Sequence, residues 1–516
     1  MSPNTQCMPT SNLERRSQAL LFVGSKTKEI RLIESTPEQF DIKYAALSYC
    51  WGGVDFLKTT MSTFASRKQH ISWEQLSVVV QDAITFSYRL DIQYIWVDSL
   101  CIIQDNELDW QVESSNMANI YENAYITIGA VSSPNANVSF LNAKRVRSPS
   151  EVFESQIPLR GSGSRLLRSR PRSSQYLSNL CHGPLSTRGW ACQEAILSRR
   201  IIQFTSTEAK WQCNSESLCE CSTYSAFGKL SVRTWAPSAA YETWHQIVHD
   251  YSQRQLTIDA DKLPAISGIA AKIQQNVSSV YLAGLWKDNL VSDLCWSCPI
   301  NTPPGHPIVC LSSETGKLKM SPSWSWASIN EAVSYLDPPP KVKATSFVSL
   351  VACKCDLATL NPYGEVYGSI LTMRVPCFQA ILEVADPFRK NTYQLKYLNE
   401  SWKFWPDCLL QAKKPSQKSH NGVDMVDRHW MLRASQNTSQ ISSPPVKDPE
   451  PFTAAVLCLL IRCYRYKGFS KTNYNILVVG KSLLKPGCYE RLGYCTAYTD
   501  SKVWLQTTKP EAVTLV

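Results

Sequence analysis

Seven polar residues stand out because they sit inside otherwise apolar stretches: Ser48, Asp98, Gln104, Glu113, Arg188, Gln193 and Glu194. A carboxylate in such a setting needs a cation or gives up its charge, and Arg188 is the obvious partner for Glu113 or Asp98. Groups of this kind can move protons or stabilise a developing charge. They also form ion-pair networks that only hold a fold together, and the residues alone leave both readings open. Cys101, close behind Asp98, would be a nucleophile if a helix terminus lowered its pKa, and otherwise a small packing residue. Trp51, Trp96, Trp110 and Trp190 are flat enough to stack on a planar ligand, and as residue types they serve equally as pocket wall or core. Gly52 follows Trp51 at a turn.

Elimination narrows the chemistry. GSGSRL from Gly161 lacks the third glycine of a dinucleotide fingerprint, and VVGKS from Val478 lacks the upstream glycine of a phosphate loop. HExxH and GxSxG are absent, and none of the 7 histidines lies in the three densest blocks, so hydrolysis through a histidine base is unattractive. Cys295, Cys298, His306 and Cys310 are zinc ligand types, but a closed site needs a second tight pair, and no metal is assigned.

The elements that must position these residues follow from periodicity. Ala19 to Ile33 alternates as a hairpin, and YAALSYCWGG, Tyr44 to Gly53, reads as a buried strand ending in a glycine turn. Ser72 with Gln75 predicts a capping box ahead of an amphipathic helix from Trp73 to Arg89. Tyr94 to Ile103 reads as one strand covered on both faces, followed by a helix from Asp109 to Ala124 and a strand from Tyr125 to Val131. On that helix Glu113, Met117, Ile120, Tyr121 and Ala124 share one stripe. Pro184 to Phe204 gives a helix bearing Trp190, Gln193, Glu194 and Leu197, then a strand, and a last strand runs through Trp211. Strands alternating with helices predict an α/β, mainly parallel sheet with its ligand site at the carboxyl ends of the strands.

The chain has 516 residues, 44% hydrophobic and 19% charged, which excludes a disordered tail and predicts more than one packed unit. Three are expected: 1–234, a helical module over 235–335, and a β-rich sandwich or barrel over 336–516 with a disordered excursion at 413–451. The net charge of +10 is local, with most of the excess in a Ser-rich insertion, Lys144 to Arg172, read as a flexible surface loop. No aromatic platform accompanies it, which argues against nucleic acid. The longest apolar run, Ala454 to Ile461, is far short of the roughly 20 residues that span a bilayer. With no secretory h-region in the starting residues, the 19 cysteines are expected to be cytoplasmic thiols.

Three blocks, YAALSYCWGG, YIWVDSLCIIQDNELDWQVESSNMANIYENAYITIGA and PLSTRGWACQEAILSRRIIQF, resemble in order and wording the motif blocks of the fungal heterokaryon incompatibility (HET) domain. The resemblance covers roughly Tyr44 to Cys213. It implies a cytoplasmic role in non-self recognition between fungal individuals, a form of innate immunity in which the activated domain triggers programmed cell death. It also implies a TIR-like, flavodoxin-like fold, whose enzymatic members cleave NAD at the nicotinamide glycosidic bond. On that reading NAD is the candidate substrate and no resident cofactor is assigned. Glu113 would steady the ribosyl transition state with Asp98 and Arg188 as further catalytic groups. Ser48, Trp51, Gly52, Cys101, Gln104, Trp190, Gln193 and Glu194 would line the pocket. The alternatives are a non-enzymatic adaptor that self-associates or meets an incompatible allele product, and a thiol enzyme using Cys101.

Overall fold

The computed structural model describes residues 19–24, 29–34, 42–142, 153–158, 164–169, 183–220, 237–299, 310–311, 318–319, 321–338, 342–413, 425–428, 451–482, 485–499 and 508–516. They divide into two compact units, Met1–Thr234 and Trp235–Val516.

The first unit is built on an eight-stranded sheet. Its centre is four parallel strands, β8 (Arg200–Phe204), β5 (Ile126–Gly129), β3 (Tyr44–Ser48) and β4 (Tyr94–Trp96), in that spatial order. On one flank β4 pairs antiparallel with β1 (Ala19–Phe22), which forms the expected hairpin with β2 (Arg31–Glu34). On the other, β9 (Ala209–Cys213) and β10 (Ser217–Cys219) continue antiparallel from β8. The sheet is therefore mixed, not mainly parallel. Helical crossovers force parallel pairing only at the centre, while the flanking strands arrive through short turns that reverse the chain.

Two successive crossovers run in opposite directions across the sheet. The chain passes from β3 through α2 (Val78–Arg89) to β4, then through α4 (Glu107–Asn123) back to β5 on the far side of β3. Right-handed connections require α2 and α4 to cover opposite faces, so the carboxyl end of β3 is a topological switch point. Each helix has its own start signal. Ser77, not Ser72, stands at the N-cap of α2, and Ser72 instead opens a single 3-10 turn, Trp73–Gln75, without a side-chain cap bond. For α4, the Asn106 side chain accepts from the N–H groups of Leu108 and Asp109, with Glu107 and Asp109 favouring the positive helix end.

The expected strand Tyr94 to Ile103 is shorter: β4 stops at Trp96 and residues Asp98–Cys101 turn as the short helix α3. The Asp98 carboxylate accepts from the Ser99 N–H at 2.6 Å, a local bond that competes with the strand ladder and ends it. Within the basic insertion, Phe153–Pro158 and Ser164–Ser169 pair as an antiparallel hairpin, β6 and β7. The rest of 144–172 lies outside the described residues.

The second unit contains α6 (Pro237–Ser252) and α7 (Ser267–Val277), which bury Trp244, Val248, Tyr251, Ile269 and Ile273. Its β-rich part is a nine-stranded sheet. Strands Val366–Val384, Phe452–Tyr464, Thr472–Lys481, Tyr489–Thr499, Glu400–Pro406 and Tyr393–Tyr397 pair in that order, and the last returns to the first. That ring is a closed antiparallel barrel, which removes most free edges. Of the excursion at 413–451, Lys413 lies in strand Leu410–Lys413, which pairs with Met425–Arg428, and 414–424 and 429–450 lie outside the described residues. Among the residues whose side chains are described, the cysteines are free thiols.

Candidate functional site

The switch point brings three separated stretches together. Ser48 ends β3, Asp98 opens α3 just after β4, and Arg188 stands at the N-cap of α5 (Gly189–Leu197), which packs against α4. The Ser48 hydroxyl donates to Glu194 Oε2 on α5, a buried contact spanning 146 residues of sequence. The Trp51 indole N–H donates to Asp98 Oδ2 at 3.0 Å. The Arg188 guanidinium donates to the Tyr49 carbonyl at 2.7 Å, and its charge acts on both Asp98 and Glu194.

Charge in this cluster is unbalanced. Asp98 and Glu194 are two carboxyl groups sharing the field of Arg188 and repelling each other. Burial pushes Glu194 up to about 7, against the lowering effect of the Ser48 hydrogen bond and of Arg188, while Asp98 raises it further. Asp98 is also raised by burial, with Arg188 and the bonds from the Ser99 backbone and Trp51 pulling back. Arg188 thus sits where two anions would otherwise be unscreened, and one of them can exchange a proton near neutral pH.

Three hydroxyls complete the cluster, none of them singled out as polar groups by the sequence pattern. Tyr49 donates to Ser99 Oγ at 2.9 Å and also faces Asp98. Tyr121 of α4 donates to the Leu47 carbonyl at 3.0 Å and also faces Glu194. The signal that could have found them is adjacency, since Tyr49 and Ser99 each follow a residue already selected.

Residues 44–194 match the family model described as heterokaryon incompatibility protein (HET). This stretch is a HET domain. No curated protein and no solved structure matches the chain. Every residue of the cluster lies within the matched range.

The other expected residues of the HET domain fall into two groups. On the open side, Trp51 and Trp190 are half-buried, and Lys58 Nζ lies 4.8 Å from the Trp51 ring centroid. Gln104 donates to the carbonyls of Asp98 and Ile102, both at 3.1 Å, and so fixes the turn that presents Asp98. Thr59 ties the Trp51 segment to the same turn, donating its N–H to the Ser99 carbonyl at 2.9 Å and accepting from the Gln104 N–H at 2.8 Å. Gly52 has φ of +72°, and a Cβ there would lie 2.1 Å from Asn135 Cβ, so no other residue fits that turn.

The second group is interior. Glu113 is 1% exposed on the buried stripe of α4, and its charge acts on Cys101. Gln193 is equally buried on α5. Burial, with Glu113 and Asp98 adding to it, drives the Cys101 thiol far above its ordinary range, so it is a poor nucleophile. The structure therefore gathers Ser48, Asp98, Arg188 and Glu194 directly, with Trp51 and Gln104 against Asp98, and sets Glu113 beside Cys101. Of the zinc-type residues, Cys295 and Cys298 are buried thiols donating to the carbonyls of Val291 and Asp407. His306 lies outside the described residues, and among the described residues no group of His, Cys, Asp and Glu could hold a metal ion.

Proposed function

We propose that this HET domain acts in fungal heterokaryon incompatibility as a death trigger, and that it does so in the cytoplasm by cleaving the nicotinamide glycosidic bond of NAD. What carries the reading is one observation, two carboxyl groups and one guanidinium meeting at the switch point, with one carboxyl poised near neutral pH. The HET match supports the process, and the carboxyl pair around Arg188 supports the chemistry.

In this mechanism the C–N bond from ribose to nicotinamide breaks, and the departing ring takes the bonding pair and leaves neutral. Asp98 lends negative charge to the cation-like ribosyl centre that remains, with Glu113 deepening that field from behind Cys101. Water adds to the ribosyl carbon and passes a proton to Glu194. Arg188 and Lys58 suit the phosphates, and the half-buried Trp51 and Trp190 rings suit a base. Inducible expression of the full chain in a fungal host, following viability and cellular NAD together, tests this. The reading predicts that NAD falls before viability, and that Asp98→Asn abolishes both effects. Death with NAD intact would sink it.

A second reading rests on a different observation. Asp98, Glu194 and Arg188 all have protein partners, as in a network that stabilises a fold. On that reading the HET domain is an adaptor that recruits a protein partner or a second copy, and killing would survive loss of either carboxylate.

A further inference from the structure

The short helix α1 (Met61–Arg67) buries one side chain, and it is a charged one. Arg67 is 8% exposed while the apolar Met61 of the same helix is 59% exposed, the reverse of how a helix docks on a core. Arg67 Nη1 donates to the Thr59 hydroxyl at 2.9 Å, and among the described residues no carboxylate pairs with the guanidinium. The acids that α1 and its C-cap touch are engaged elsewhere, Glu34 with Lys68 at 2.8 Å and Asp105 with the Met61 N–H at 2.7 Å. Burial lowers the Arg67 pKa, and no opposing charge holds it up. By contrast, the buried guanidiniums of Arg462 and Arg491 each meet an aspartate. Arg67 meets a neutral hydroxyl and leaves its remaining N–H groups unspent.

We propose that Arg67 receives a phosphate-type oxyanion, held on the face of the Thr59 segment turned away from Trp51, and that the bound anion steadies the turn presenting Asp98. A buried cation without a counter-charge is satisfied by an external anion, and a planar guanidinium matches the paired oxygens of a phosphate. Position separates this site from the Trp51 side. Thr59 forms a parallel bridge with Ile103, so the chain is extended there and successive side chains point to opposite faces. Lys58 lies over the Trp51 ring, whereas the Thr59 hydroxyl turns to Arg67. The link to Asp98 runs through the same residue. Thr59 donates its hydroxyl to the Leu100 carbonyl at 2.6 Å and its N–H to the Ser99 carbonyl at 2.9 Å, both within α3. An anion that fixes the Arg67 fork therefore fixes the support of that turn. Binding stands independently of the reaction, and only the effect through Asp98 rests on the catalytic reading.

Calorimetric titration of the full chain with inorganic phosphate, at an ionic strength held constant with chloride, tests the binding. The wild type should take up phosphate saturably. Arg67→Lys keeps the charge and loses the fork, so it should bind about tenfold more weakly, and Arg67→Gln should not bind. No uptake by the wild type, or equal uptake by Arg67→Gln, would overturn the proposal. Should Arg67→Gln fail to fold, Arg67→Lys decides: an affinity equal to that of the wild type overturns it. Nicotinamide release from NAD is followed with and without phosphate. A rise of about fivefold is expected in the wild type and none in Arg67→Gln. Release that ignores bound phosphate would overturn the link to Asp98, and inhibition relieved by excess NAD would place Arg67 in the substrate's own pocket and overturn the separate site. Phosphate bound through Arg67 with NAD left intact in every condition would refute the catalytic reading and leave the binding assignment standing.

Discussion

Both units bury charged side chains, and they do so in opposite ways. In the second unit His245 lies between two carboxylates, Nδ1 to Asp337 and Nε2 to Asp293, each at 2.7 Å, with its ring stacked on Tyr335. Asp293 also accepts from the Trp286 N–H and from Asn289, and Arg462 adds its charge to Asp337. Arg491 is completely buried against Asp407, spends its remaining donors on the carbonyls of Leu294 and Trp296, and stacks on the Trp296 ring. In these two clusters each buried charge meets its opposite. In the HET domain two carboxyl groups share one guanidinium, and one of them is pushed to about 7. On the catalytic reading proposed above, that imbalance is what lets Glu194 exchange a proton.

Breaking the balanced network should cost most. Arg491→Met takes the buried guanidinium away from Asp407 and from the carbonyls of Leu294 and Trp296, and denaturant unfolding should show the second unit destabilised by about 3–5 kcal/mol. Next comes the pH response of the same unit. Burial lowers the His245 pKa, but the bonds to Asp293 and Asp337 outweigh it and raise it to about 9. The folded form therefore holds a proton that the unfolded chain releases near 6.5. The resulting stabilisation of ~3 kcal/mol is complete below that pH and is lost as pH rises through 9. Melting temperatures across pH 6 to 10 should show this fall in the wild type and not in His245→Gln.

The unbalanced cluster should respond with the opposite sign to mutation. Because the folded pKa of Glu194 is raised, its contribution is full below about 4.5 and is lost as pH climbs to about 7, where the buried anion forms. Glu194→Gln removes that penalty, and at pH 8 the HET domain should gain about 2 kcal/mol while losing its activity. The smallest effect is expected at the rim of the cluster. Trp51→Phe removes one donor from the half-buried Asp98 and should cost about 1 kcal/mol in thermal unfolding.

How much of this was legible in the sequence depends on what each residue contrasts with. Ser48, Asp98, Arg188 and Glu194 were visible because a polar residue inside an apolar run has to be explained, although strand–helix alternation placed only Asp98 of these on one edge, with Trp51, Gly52 and Cys101. Tyr49 and Tyr121 were not, since tyrosine in an apolar run looks like core until its hydroxyl is given a partner. The antiparallel flanks were hidden because alternation within a strand says nothing of the direction of its neighbour. Asp98 misled in one respect, as its side chain ends the strand that its apolar neighbours continue. The His245 clamp was out of reach, because its carboxylates lie 48 and 92 residues away and nothing local marks them.

The central claim is that the unbalanced cluster does chemistry. Nicotinamide released from NAD by the purified full chain at high concentration measures it most directly, with Asp98→Asn and Glu194→Gln alongside. The account predicts release by the wild type that falls to background in both variants while each stays folded. Intact NAD with the wild type, or release that persists in both variants, would contradict it.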